Sequence, residues 1–218
     1  REEIERQRQT LVGEIENAIR ELDLINLRAP TPDRLSLLGG ACKRLAWVQE
    51  AVSPRVEALV NMANYYRQAY ELNQAQARAT RRQPDPCHFT RWATAKVLTA
   101  MFDVEQDKTW RNTLEDECRA TIQLARERNQ TQPEFLNGAA EAGCELVLLL
   151  ADGKPTPASA NAAAVRIAAL YRDAAQRGAS PGEYATVRED MEFVRALVAA
   201  AAGNTDLLNA LATLDAAL

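Results

Sequence analysis

The chain has 218 residues, 47% hydrophobic and 26% charged, with nine glycines and nine prolines. That is enough chain for one large or two small domains with a buried core, and the composition lies far from the disordered class. The formal net charge of −4 is unevenly placed, since residues 1–110 hold 16 Lys and Arg against 15 Asp and Glu while residues 111–218 hold 10 against 15; neither half has the basic excess of a general nucleic-acid or anionic-lipid binder.

Alanine dominates the apolar residues and strand-length runs of valine or isoleucine are missing, so the class is all-α. Ile4, Leu11, Ile15, Ala18, Ile19, Leu22 and Ile25 recur at three-and-four spacing and predict a long amphipathic opening helix ending before Ala29-Pro30. The chain opens on Arg1 within that pattern, which leads to the expectation that it is a segment of a longer protein. Thr31-Pro32-Asp33 then gives a strong start signal: Thr31 can accept from first-turn amides, Pro32 has no amide to lose, and Asp33 complements the positive end of the helix dipole. The second helix is expected from about Pro32 to Glu50. Inside it, Gly39 and Gly40 each cost about 1 kcal/mol relative to alanine, which predicts a close helix crossing there.

Ser53-Pro54 starts a third helix carrying Val56, Leu59, Val60, Ala63, Tyr66 and Ala69 on one face, so the second and third helices should form an antiparallel hairpin. After the linker 81–86, a fourth helix holds Phe89, Trp92, Ala93, Val97, Ala100 and Met101. A fifth carries Trp110, Leu114, Cys118, Thr121, Ile122 and Ala125, and Pro133 opens a sixth, in which Gly138 and Gly143 mark further tight crossings. Residues 152–157, with one glycine and two prolines, make the clearest break. Three more helices fit over about 158–177, 181–202 and 205–217, with Ser180 and Glu183 forming a capping box and Gly178 ending the helix before it. Short connections and recurrence at roughly 40-residue intervals favour stacked hairpins over a bundle.

The spacing of Leu35, Leu38-Gly39 and Cys42, followed by Met62, Tyr66 and Ala69, resembles the tetratricopeptide repeat (TPR), with about eleven extra residues between the two halves and without the usual closing proline. The stretches Thr31 to Ala46 and Tyr65 to Leu72 also resemble degenerate helical-repeat regions of large bacterial proteins that carry a caspase-like CHAT protease or a TRAFs-binding-type domain. The resemblance implies antiparallel hairpins stacked as a TPR-like right-handed solenoid of about nine helices. Residues 1–151 would form the array and 152–218 its C-terminal continuation or cap. It also implies a docking or sensing role for a separate effector domain in the same longer chain.

Cys42, Cys87, Cys118 and Cys144 are 45, 31 and 26 residues apart in apolar helical patterns, as expected of small buried hydrophobes in a reducing cytoplasm. Cys87-His88 places a nucleophile beside the sole histidine, but catalysis needs a base that reaches the sulfur and a third group that orients the base, which sequence neighbours rarely provide. Neither a catalytic residue nor a metal ligand is therefore assigned, and no cofactor is implied. No apolar run approaches the roughly 18 residues of a membrane span. The candidates for binding a protein or peptide are Tyr65 and Tyr70 as aromatic anchors and Arg78, Arg81, Arg82 and Arg91 as the densest basic cluster with Lys96, followed by Lys43 and Arg44. Tyr66 is expected in the core. The alternative is a basic pocket for a small charged, nucleotide-like ligand that gates an attached effector.

Overall fold

The computed structural model describes residues 2–102, 109–201 and 204–218. Among them are nine α-helices and no strand: α1 (Glu2–Arg28), α2 (Pro32–Val48), α3 (Val52–Thr80), α4 (Pro86–Phe102), α5 (Trp110–Thr131), α6 (Phe135–Ala151), α7 (Pro157–Gln176), α8 (Pro181–Ala200) and α9 (Thr205–Ala217). The chain forms two compact units, Arg1–Thr99 and Ala100–Leu218. The break at 152–157 thus falls inside the second unit.

Local chemistry accounts for the helix ends. The Thr31 hydroxyl accepts from the Arg34 amide at 3.2 Å, with Pro32 at the first helical position of α2. Ser180 and Glu183 form the full capping box of α8, the Glu183 amide donating to the Ser180 hydroxyl and the Glu183 carboxylate accepting from the Ser180 amide at 2.8 Å. The Ser180 hydroxyl, which donates to the Glu183 carboxylate at 2.7 Å, and then the Ser180 amide hold that carboxyl below its usual range. Gly178, past the end of α7, has φ +107°, where a side chain is strained.

In the first unit α2 packs most extensively on α3, and α1 covers α2. The hairpin core is Leu35, Leu38, Cys42 and Ala46 of α2 against Leu59, Met62, Tyr66 and Ala69 of α3, all buried. A Cβ on Gly39 would lie 2.5 Å from the Tyr66 ring, whereas one on Gly40 would meet only the Tyr66 hydroxyl, at 3.8 Å. Gly39 alone therefore answers to the crossing, which corrects the expectation that both glycines do. The long apolar stripe of α1 is also only half used: Asn26 is its one buried residue, while Ile4, Leu11 and Ile25 are 62%, 43% and 53% exposed.

In the second unit α6 is the central helix, with twelve buried residues, packed between α5 and α7. Gly138 permits the α6–α7 approach, since a Cβ there would lie 2.6 Å from the Ala174 Cβ; Gly143 is buried in the same helix. Ion pairs tie the layers, Arg126 to Glu141 at 2.8 Å between α5 and α6, Arg166 to Glu145 at 2.8 Å between α6 and α7, and Arg195 to Asp215 between α8 and α9. The far side of α7 is covered by α9, with which α8 makes a smaller contact, so the final hairpin closes back by skipping one helix. Leu207, Ala210, Leu211 and Leu214 bury the inner face of α9, and the Tyr184 hydroxyl donates to the Leu218 carbonyl at 2.6 Å.

Candidate functional site

The sequence candidates separate onto different faces of the first unit. Tyr65 and Tyr70 are five residues apart on α3, which turns their side chains about 140° from each other. Tyr65 points to α1, where its hydroxyl hydrogen-bonds the Asp23 carboxylate; burial, then the Asp23 charge and that bond, push its pKa from 10.0 to about 12. Cys42 beside them is pushed from 9.0 to about 12, by burial first and the Asp23 charge second. All four cysteines are buried and none is in a disulfide.

Tyr70 points to α4. Its ring stacks on Trp92 at 5.6 Å with 9° between planes and meets the edge of Phe89 at 5.4 Å, while Phe89 and Trp92 form an edge contact at 5.7 Å. Phe89 is 1% exposed and anchors the group in the core, so Tyr70 and Trp92 are only half-buried above it. The Lys96 ammonium lies 5.1 Å from the Trp92 ring centre. From Tyr70 a polar line runs along α3: Gln74 Nε2 donates to the Tyr70 hydroxyl at 2.5 Å, and Arg78 Nη2 donates to Gln74 Oε1 at 3.0 Å. Residues 70, 74 and 78 share one face because each step is just over one helical turn. Arg91 is exposed on α4, next to Trp92.

The structure thus brings Tyr70 and Arg78 together with Gln74, Trp92 and Lys96 into one aromatic and cationic face of α3 and α4, while the charge of Arg91 acts on His88. Arg81 and Arg82 follow at the end of α3, both exposed, with Arg81 in the left-handed conformation at φ 53° and the Arg82 amide donating to the Ala77 carbonyl at 2.9 Å. Lys43 is 8% exposed within α2, and Arg44 is exposed on the same helix. Gln74 escaped the sequence reading because a glutamine at helical spacing carries no signal until its hydrogen-bond partners are placed.

Loop 81–86 is fixed by two bonds from one residue. The Asp85 amide donates to Asn73 Oδ1, and Asp85 Oδ1 accepts from the Cys87 amide, both at 2.9 Å, which caps α4. His88 is buried, its Nδ1 3.1 Å from the Ser36 hydroxyl of α2. Burial lowers its pKa. Ser36 and His88 lie 52 residues apart, so their pairing carries no sequence signal. Among the described residues, no group of three His, Cys, Asp or Glu is placed to hold a metal ion, and no helix is long and apolar enough to cross a membrane.

Residues 3–86 match the model of the Tetratricopeptide Repeats-Sensor family. The match takes in α1, the α2–α3 hairpin and the loop that leads into α4, and so reaches Tyr70, Gln74 and Arg78 while stopping short of Trp92. The matched region is a TPR-like helical repeat, and the described residues of the chain as a whole are all-α. No curated protein and no solved structure matches the chain.

Proposed function

We propose that the chain is a non-catalytic recognition module that binds a protein or peptide through the α3–α4 face, preferring an acidic segment, and serves as docking or sensing arm for an effector domain in a larger bacterial protein. The observation that carries this reading is the Tyr70–Trp92 stack, half-buried, with Lys96 over Trp92 and Arg78 linked to Tyr70 through Gln74. Rigid aromatics ordered before binding lose little entropy when a partner covers them, and neighbouring cations steer an acidic partner and set its orientation. The Tetratricopeptide Repeats-Sensor match over residues 3–86 supports a binding role for the α3 side of that face, which holds Tyr70, Gln74 and Arg78.

Charge reversal tests it. With Arg78→Glu, Arg91→Glu and Lys96→Glu combined, a partner captured by the parent chain is expected to be lost, at unchanged helicity. Equal capture by the two chains would refute the assignment. The word sensor in the family description supports a second reading, in which the cations hold a small charged ligand of nucleotide-like chemistry and a hinge motion gates the effector. A thermal-shift screen separates the two, since a small ligand raises the melting temperature by mass action and a module specific for peptides stays silent.

A further inference from the structure

The first unit holds a buried titratable group that the recognition face does not use. His88, the sole histidine of the chain, is 6% exposed in the first turn of α4, and its Nδ1 lies 3.1 Å from the hydroxyl of Ser36, 9% exposed in α2. The contact ties α4 to α2. Three charged groups act on the ring: Asp33 of α2, Asp85 of the loop before α4, and Arg91 of α4. Burial is the largest influence and opposes a proton on the ring, as does Arg91, while the two carboxylates favour one. The outcome is a titration below the ordinary 6.5, so His88 is neutral at neutral pH. Asp33 is exposed, and Asp85 is half-buried with one carboxylate oxygen committed to the Cys87 amide at 2.9 Å.

A neutral ring suits this place and a charged one does not. In the imidazolium both ring nitrogens donate, and the Ser36 hydroxyl offers no counter-charge, so an added proton leaves a cation inside the α2–α4 contact. Because α2 is packed between α1 and α3, the element that yields is α4. Displacement there reaches the recognition face directly. Trp92 follows His88 by four residues and shares its side of the helix, and Phe89, the next residue, anchors the aromatic group.

We propose that the Ser36–His88 contact is an acid-released latch, which seats α4 on α2 at neutral pH and, when His88 takes up a proton, lifts α4 and unstacks Trp92 from Tyr70. Loss of partner binding in acid rests on the recognition role proposed for the α3–α4 face; the latch itself does not. Linkage sets the direction. The unfolded chain takes up this proton at the ordinary 6.5 and the folded chain only at lower pH, so the stability the neutral ring contributes is complete above that value and declines as pH falls through it.

The test is an NMR titration of the 218-residue chain from about pH 7.5 to about pH 5, above the ordinary carboxylate range, where the sole histidine is the side chain that titrates. The His88 ring resonance and the Trp92 indole N–H resonance, assigned with Trp92→Phe, are expected to move together with one midpoint below 6.5. In His88→Gln, whose amide can still bond Ser36 but takes up no proton, the Trp92 resonance is expected to stay in place. Should that variant unfold, Ser36→Asp gives an independent reading: it supplies the missing counter-charge and is expected to raise the His88 midpoint by about a unit and keep Trp92 stacked over the same range. An unmoved Trp92 resonance in the parent, equal movement in His88→Gln, a His88 midpoint at or above 6.5, or unstacking in Ser36→Asp at the parent midpoint would overturn the latch.

A glutamate-rich peptide followed by fluorescence anisotropy reads the consequence. Its affinity for the parent is expected to fall at least about threefold between about pH 7.5 and about pH 5.5, and to stay constant in His88→Gln. Equal affinity at the two pH values would overturn the regulation. Absence of binding at the higher pH would refute the recognition role of the face, whereas the latch stands or falls on the Trp92 resonance.

Discussion

At residue 39 a single methyl group separates a packed hairpin from a clash. The hypothetical Cβ lies 2.5, 2.6 and 2.9 Å from three atoms of the Tyr66 ring, which is buried and cannot swing away, so Gly39→Ala is expected to destabilise the chain by about 2 kcal/mol. Gly40→Ala meets only a hydroxyl at 3.8 Å and is expected to be neutral or to stabilise by up to about 1 kcal/mol through helix propensity. Urea denaturation of the two variants checks the pair. Cys42 and Tyr65 give a pH prediction. Their folded-state values near 12 exceed the ordinary 9.0 and 10.0, so the unfolded chain releases these protons first, and their contribution is complete below pH 9 and is lost as pH rises towards 12. In Cys42→Ala the alkaline fall in melting temperature is expected to be shallower, and the parent thiol is expected to react slowly with iodoacetamide at neutral pH. A Cys42 that alkylates as fast as a free thiol would contradict its burial. The two glycines look identical in sequence, and only the position of Tyr66 across the crossing separates them.

At the scale of single helices, the ends were readable because capping is local chemistry. Thr31-Pro32-Asp33-Arg34 and Ser180-Pro181-Gly182-Glu183 contain both donors and acceptors of their own caps, and the structure places both as read. Ser180→Ala is accordingly expected to cost about 1 kcal/mol in thermal or urea denaturation, and Glu183→Gln to remove the part of α8 stability that disappears in acid, because a carboxyl held below its usual range stabilises above that range and ceases to as pH falls through its folded value. The opening helix was read less completely. Hydrophobic periodicity reports that a face is apolar and not what covers it, so the stripe from Ile4 to Ile25 predicted a long helix correctly but could not show that half of the stripe stays in solvent. The return of α9 to α7 was likewise illegible, since alanine-rich helices carry similar patterns on several faces and sequence order alone suggested neighbours in line.

For the whole molecule, the all-α hairpin class followed from helix spacing and short connections, while the binding face did not. Arginine clusters at helix ends are common whether or not they bind anything, and only the placement of α4 against α3 shows that Arg78 shares a face with the Tyr70–Trp92 stack while Tyr65 turns to α1. The recognition reading therefore rests on a specific juxtaposition within residues 70–96. The most direct test is a map of backbone amide shifts in isotope-labelled protein as a glutamate-rich peptide is added. The account expects the largest changes, saturating together, at Tyr70, Gln74, Arg78, Arg91, Trp92 and Lys96. Changes centred on other residues, or a spectrum left unmoved by that glutamate-rich peptide, would contradict it.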